Sequence, residues 1–210
     1  TCLYPKICPN LNTDHSEVLK LYSAVRKLPF IKKAFIGSGI RYDLATDQYL
    51  KEVVKNHVSG RLKVAPEHTN DAVLNLMRKP SFSLFKEFDK KFNKFNEEFN
   101  LNQQLIPYFI SSHPGCKPEH MAELAIETKK LNFRLEQVQD FTPTPFTLAT
   151  EIYYTGINPY TMEKVYTAKT PEQKNRQRSF FFWYKGEFKA EIKHFLKEIG
   201  RMDLLNALFK

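Results

Sequence analysis

The sequence predicts an α/β fold built on a parallel sheet, with a helical extension at its carboxyl-terminal end. Up to about residue 156, four short apolar segments alternate with longer segments whose apolar residues recur every three or four positions. Short apolar runs are typical of buried strands, and the longer period is typical of helices. Because strands that alternate with helices pair in parallel through right-handed crossovers, residues 1–156 predict either a doubly wound sheet or a piece of a β/α barrel. Residues 157–210 predict a helical extension.

The first third of the chain contains two predicted strands, each preceded by a helix. Residues 16–28 carry one apolar stripe and are followed by Pro29, which predicts a helix that stops there. The continuous apolar run at 34–36 ends in Gly-Ser-Gly and predicts a buried strand that leads into a flexible loop. A second helix opens at Asp47, and the segment RLKVA after it predicts the second strand.

The middle of the chain continues this alternation. Five phenylalanines recur at steps of three and four, which is the pattern of one helical face, and we interpret them as core: Phe85, Phe88, Phe92, Phe95 and Phe99. A third strand is predicted over about 104–110, and Pro118 suits the first turn of the next helix. The segment FRLEQVQDF predicts the fourth strand.

The pattern changes after residue 156. Residues 171–185 and 186–200 predict two helices, the first of which contains the basic run KNRQR beside FFFWY, and a short helix is predicted at 202–209. The sequence therefore predicts a domain boundary near residue 156.

Composition narrows the class of protein. The 210 residues are 42% hydrophobic and 26% charged, as in ordinary globular proteins, and lack the run of about 18 apolar residues that spans a membrane. Three cysteines, Cys2, Cys8 and Cys116, are an odd number and are typical of a reducing compartment, so we expect a cytoplasmic protein. Because the chain begins at Thr1, we expect a piece of a longer protein.

The four strand ends contain the residues that could carry chemistry. They read GSGIRYD, APEHT, SSHPGC and DFTPTP. Ligands bind at the carboxyl ends of parallel strands, because the loops there can vary without disturbing the core. We therefore predict one shared site whose candidate residues are Arg41, Asp43, Glu67, His68, His113 and Cys116.

Other chemistries have weaker signals. The spacing of Cys2 and Cys8 is unlike that of zinc or iron–sulfur pairs, and a catalytic pair of Cys116 with His113 or His68 is an open alternative. The basic aromatic stretch 174–185 either stacks nucleic-acid bases or is an amphipathic helix packed by its aromatic side. A net charge of +9 is compatible with RNA, DNA or phosphorylated ligands.

Several stretches that together span nearly the whole chain carry a family resemblance. They are TCLYPKICPNL, VAPEHTNDAVLNLMRKP, LIPYFISSHPGC and FRLEQVQDFTPTPFTLATEIYYTG. Together they resemble the YgiQ-type radical S-adenosylmethionine proteins. The resemblance implies that residues 1–156 form the carboxyl-terminal half of a partial parallel β/α (TIM-like) barrel, with KAFIGSGIRYD as its fourth strand. Residues 157–210 would be the helical extension of that family.

The resemblance also implies cofactors for the full-length parent. Such enzymes hold a 4Fe-4S cluster on a CxxxCxxC motif and use it to cleave S-adenosylmethionine to an adenosyl radical. This chain contains no such motif, so by resemblance we expect a chain that by itself is inactive and holds no cluster. Contact with S-adenosylmethionine or an unknown substrate is then expected from Arg41, Asp43, Glu67, His68 and His113 at the barrel rim.

Two further expectations concern partners. A non-catalytic basic module that binds RNA is the alternative function, and it rests on the net charge and on the stretch 174–185. In a half barrel, the edge of the strand at 34–38 would be exposed, and exposed edges pair with other chains. We therefore expect either a homodimer that covers this edge or a preceding segment that folds over it.

Overall fold

A computed structural model of the chain describes residues 2–135 and 138–210. Its strands are β1 (Arg61–Glu67), β2 (Gln104–Ser111) and β3 (Val138–Asp140), which form a three-stranded parallel open sheet in the order β1-β2-β3. In the register of β2 with β3, Phe109 lies beside Val138 and Ser111 beside Asp140. The α/β class is confirmed, and the partial barrel stays a prediction.

The helices follow the chain in the order that the periodicity predicts, with one addition at Leu148–Thr155. They are α1 (Ser16–Arg26), α2 (Asp47–Asn56), α3 (Asp71–Met77), α4 (Phe82–Glu98), α5 (Pro118–Lys130), α6 (Leu148–Thr155), α7 (Pro171–Ser179), α8 (Gly186–Glu198) and α9 (Met202–Phe209). A short 3-10 helix, Phe180–Phe182, follows α7. In the part of the chain described, no helix combines the length and apolar composition that crossing a bilayer requires.

Two of the predicted strands are confirmed and a third is confirmed in part. β1 and β2 match the second and third predictions, whereas β3 covers only the end of the fourth, of which residues 136–137 lie outside the described residues.

The first predicted strand is wrong. Residues 34–38 form no strand, and Phe35 is 48% exposed. The backbone groups of this segment bind the end of α2 instead, because Ile36 N–H donates to the carbonyl of His57 and Ala34 O lies 2.7 Å from His57 Nδ1. Pairing with β1 is limited to an isolated parallel bridge between Ile40 and Val64.

Helix α6 was not predicted from the sequence. Its ends carry ordinary signals, since the Thr147 side chain accepts the backbone N–H of Thr150 at the start and Gly156 adopts a left-handed φ of 69° at the end. The sequence therefore marks both ends of this helix, with a threonine at its start and a glycine at its end. Its apolar residues, however, continue those of the preceding strand end.

The chain divides into two compact units. The first comprises Thr1–Pro66 and Phe82–Pro107, and the second comprises Glu67–Ser81 and Tyr108–Lys210. This division follows contacts between residues and leaves the predicted boundary near residue 156 a prediction.

The core of the first unit is built by α2 and α4. Phe85, Phe88, Phe92 and Phe95 of α4 are at most 3% exposed, as the one-faced spacing of these residues predicts. They pack where α4 meets the apolar face of α2. Burying a phenylalanine side chain contributes roughly 1.5–3 kcal/mol, so this stripe is a main source of stability for the unit.

The core of the second unit surrounds α5. Helix α5 packs against α9 and against the 3-10 helix, whose Phe180 and Phe181 are fully buried. At the end of α9, Lys129 of α5 donates to the carbonyl of Leu208 at 2.8 Å, which satisfies one of the carbonyls that a helix end leaves open. The carboxyl-terminal helices are thereby held against the rest of this unit.

The phenylalanine stripe can be tested by truncation. Phe92→Ala is expected to lower the free energy of unfolding by about 3–5 kcal/mol because it leaves a cavity in a fully buried site. Leu84→Ala, on the solvent side of the same helix, should cost about 0.5 kcal/mol. Urea unfolding monitored by circular dichroism measures both, and equal losses would contradict the core assignment.

Candidate functional site at the strand ends

A cavity of about 710 Å³ opens beside the carboxyl ends of the three strands, within the second unit. This volume lies in the range of small-molecule sites. Polar side chains of its lining come from the end of β1, from the turn after β2, from β3 and the loop beyond it, and from two cations. They are Glu67, Lys79, His113, Gln139, Asp140, Thr142, Thr144 and Arg178. Three of the four predicted strand ends therefore meet in one cavity.

Glu67 occupies a constrained backbone position at this cavity. It is the last residue of β1 and has a left-handed φ of 67°, which non-glycine residues adopt uncommonly. Its carboxylate accepts a hydrogen bond of 3.0 Å from Lys79 Nζ, and its side chain is only 15% exposed. The sequence predicted Glu67 but not its partner, because Lys79 follows α3 and carried no motif.

His68 and Cys116 form a buried pair. The Cys116 Sγ atom lies 3.4 Å from His68 Nε2, and both residues are fully buried. The backbone N–H of Asn70 donates to His68 Nδ1 at 3.0 Å, so Nδ1 carries no proton and the neutral ring carries it on Nε2. The nitrogen that faces the thiol is thus already protonated.

This arrangement argues against a catalytic role for the pair. Burial lowers the pKa of His68 to about 3 and raises the pKa of the Cys116 thiol. His68 therefore cannot accept the thiol proton at neutral pH, and a nucleophilic cysteine needs a thiolate. His68 is buried and does not line the cavity, and its predicted contact with a cofactor or substrate stays a prediction.

The turn after β2 explains the sequence SSHPGC. Ser112 has a φ of 61° and Gly115 a φ of 85°, and a Cβ atom on Gly115 would lie 2.3 Å from Leu76 Cδ1. Glycine is favoured at this position, because a left-handed φ strains other residues and a Cβ atom would require the Leu76 side chain to shift. Gly115 N–H donates to the carbonyl of Tyr166 at 2.8 Å, and Cys116 N–H donates to the carbonyl of His113 at 2.8 Å.

His113 presents one ring nitrogen as an acceptor. Its Nδ1 lies 2.9 Å from the carbonyl of Pro114 and donates to it, and its ring meets Phe141 edge-on with centroids 5.0 Å apart. Burial lowers the pKa of His113 to about 4, so the ring is neutral at pH 7. A neutral ring with its proton on Nδ1 has a lone pair on Nε2, which can accept a hydrogen bond.

Asp140 and Arg178 were missed as site residues. Asp140 ends β3, and its carboxylate binds the Ser111 hydroxyl through Oδ1 and accepts from Arg178 Nη1 at 2.9 Å through Oδ2. Arg178 lies in α7, in the basic run KNRQR. The sequence offered two alternatives for that run, and only the folded chain places one of its arginines at the end of a strand.

Arg41 and Asp43 lie in the first unit and bind each other. Arg41 Nε donates to Asp43 Oδ1 at 2.8 Å and Nη2 donates to Oδ2 at 2.5 Å, a bidentate pair that raises the pKa of the guanidinium. Their predicted contact with a cofactor or substrate stays a prediction.

The cysteines do not fit a 4Fe-4S cluster. Such a cluster needs thiolates, and Cys116 is buried beside a protonated nitrogen with its thiol pKa raised. Cys2 and Cys8 by themselves are fewer than the three cysteines of a CxxxCxxC motif. Across residues 2–135 and 138–210, no three histidine, cysteine or carboxylate side chains are grouped so that they could hold a metal ion.

The basic aromatic stretch 174–185 packs by its aromatic side. Phe180 and Phe181 are fully buried, and the Arg176 guanidinium lies over the ring of Phe195 at 4.7 Å. These phenylalanines therefore cannot stack on bases. Phe182, Trp183 and Tyr184 of the same stretch are half-buried, and the alternative of an RNA-binding module stays a prediction.

Comparisons with known proteins extend along the whole chain. A family described as a domain of unknown function (DUF3362) matches residues 136–207, which include α6 to α8. The chain is 58% identical to a UPF0313 protein of Bacteroides thetaiotaomicron, with all of the chain and 36% of that protein covered. It is 58% identical to a UPF0313 protein of Porphyromonas gingivalis, with 100% of the chain and 35% of that protein covered. It is 47% identical to a UPF0313 protein of Methanocella arvoryzae, with 97% of the chain and 34% of that protein covered.

The chain spans about a third of the length of the curated relatives it matches. The UPF0313 proteins are the YgiQ-like family, in agreement with the resemblance in the sequence, and the names of these relatives assign no activity.

The protonation of His113 is open to direct measurement. In ¹⁵N NMR of the imidazole, the ring is expected to titrate near pH 4 because it is buried. Since this folded pKa lies below the unfolded value of about 6.5, the contribution to stability is complete above pH 6.5 and is lost as the pH falls toward 4. A titration near 6.5 in the folded chain would contradict the buried, neutral ring.

Proposed function

We propose, given that this chain is a relative of the UPF0313 proteins and spans about a third of their length, that it forms the carboxyl-terminal part of a YgiQ-type radical S-adenosylmethionine enzyme. We further propose that its cavity contacts S-adenosylmethionine or the substrate. The observation that carries the second step is the meeting of three strand ends in one polar cavity, each contributing a side chain with hydrogen-bonding capacity.

The charges around this cavity support binding of a polar ligand. The carboxylates of Glu67 and Asp140 are each paired with one cation, Lys79 and Arg178 respectively. A carboxylate has about four lone-pair sites and a guanidinium has five donors, so each pair keeps capacity for a ligand. Hydroxyls or an ammonium suit the carboxylates, and a carboxylate or phosphate suits the guanidinium.

Each site residue has a distinct contribution in this proposal. When bound beside a reduced cluster, S-adenosylmethionine supplies radical chemistry. The residues of this chain orient the ligand: Glu67 accepts its donors, Arg178 donates to its anionic groups, and His113 Nε2 accepts a hydrogen bond from it. The cluster itself would be held by cysteines outside this chain, because the cysteines present do not fit it.

Anaerobic reconstitution tests whether the cluster is held by this chain or by the rest of the longer protein. With iron and sulfide supplied, the full-length protein is expected to gain about four irons, whereas the 210-residue chain gains none in a defined stoichiometry. Iron and sulfide assays with visible absorption measure this. A stoichiometric cluster on this chain, or none on the full-length protein, would overturn the assignment.

Ligand binding tests the cavity. In equilibrium dialysis with S-adenosylmethionine on the reconstituted full-length protein, Glu67→Gln is expected to bind roughly 10- to 100-fold more weakly, because hydrogen bonds to charged groups contribute about 1.5–3 kcal/mol. Glu187→Gln, an exposed carboxylate in the same unit, is the matched control and should bind like the wild type. Unchanged affinity in Glu67→Gln would remove Glu67 from the S-adenosylmethionine contact.

A further inference from the structure

Two consecutive residues of α7 reach two different strand ends. Gln177 contacts the turn after β2, and Arg178 contacts Asp140 at the end of β3. Both belong to the segment that matches the domain of unknown function. All of these residues lie in the second unit.

The Gln177 side chain makes two buried hydrogen bonds with the turn. Its Oε1 accepts the backbone N–H of Ser112 at 2.8 Å, and its Nε2 donates to the carbonyl of Cys116 at 2.7 Å. Gln177 and Ser112 are both fully buried. One amide group therefore bridges the two ends of the turn that carries His113, and it satisfies backbone groups that would be costly to bury unpaired.

The position of Gln177 is itself well determined. Helix α7 begins at a capping box in which Thr170 accepts the N–H of Gln173 and the Gln173 side chain accepts the N–H of Thr170. At its other end, the buried Phe180 and Phe181 anchor the helix. A side chain between two such fixed points is pre-organised to hold the turn.

We propose that the carboxyl-terminal helical segment, which matches the domain of unknown function, helps to build the candidate site. Gln177 is a positioning residue that holds the turn of residues 112–116, and with it His113, against the cavity. The proposal concerns the turn alone and does not depend on which ligand the cavity takes.

Removal of the amide is the first test. Gln177→Met keeps the length and apolar volume of the side chain but abolishes both hydrogen bonds. In amide hydrogen exchange, Ser112 is expected to lose protection by roughly tenfold. The amide of Ile192 in the buried face of α8 reports global opening and should lose less. Asn175→Met, at an exposed position of the same helix, should change neither amide.

A pH profile separates positioning from simple packing. In Gln177→Glu, the protonated carboxyl can accept from Ser112 N–H and donate to Cys116 O, whereas the carboxylate cannot donate. Burial and this donation both raise the pKa of the introduced carboxyl above its unfolded value of about 4.3. Protection of Ser112, relative to Asn175→Met at each pH, is therefore expected to be wild-type below about 4.3 and to fall as the pH rises through the folded pKa.

The imidazole of His113 supplies a spectroscopic readout. In Gln177→Met, the His113 ring is expected to titrate closer to its ordinary pKa of about 6.5, because a released turn exposes it to water. Wild-type Ser112 protection in Gln177→Met, or pH-independent protection in Gln177→Glu, would overturn the proposal. If Gln177→Met does not fold, Gln177→Glu at low pH still decides, because its protonated form restores both bonds.

Discussion

The turn after β2 must reverse direction while its backbone groups are buried, and the candidate site depends on how those groups are satisfied. Buried N–H and C=O groups without partners cost about as much as lost hydrogen bonds. Here the partners come from distant parts of the chain, since Gln177 serves Ser112 and Cys116, and Tyr166 serves Gly115. The direction in which His113 faces is therefore set by residues more than 50 positions later.

Burial also decides the chemical character of the two histidines near this turn. His68 and His113 are both neutral at pH 7, because the interior disfavours the charged ring. Their tautomers are opposite, since a backbone N–H occupies Nδ1 of His68 whereas a backbone carbonyl occupies Nδ1 of His113. One histidine is consequently a donor to a buried thiol, and the other keeps an unprotonated nitrogen that can accept a hydrogen bond.

Residue type and spacing brought together two of the residues that line the cavity. Glu67 and His113 follow strands whose apolar runs are plain in the sequence, and the carboxyl ends of parallel strands meet at one edge. His68, one position beyond Glu67, is buried instead of lining the cavity. Lys79, Asp140 and Arg178 were missed, because charged residues in a loop, at a strand end and in a basic run have no pattern that distinguishes a site from a solvated surface.

The sequence by itself determined the α/β class, the helices with one-sided apolar spacing and the strands β1 and β2, because periodicity reports which face of an element is buried. It also determined the relationship to the YgiQ-like proteins. Folding alone revealed that residues 34–38 bind the end of α2 instead of forming a strand, and that Gln177 binds the turn after β2. These outcomes depend on which distant backbone groups need partners, and that need exists only once the chain has folded.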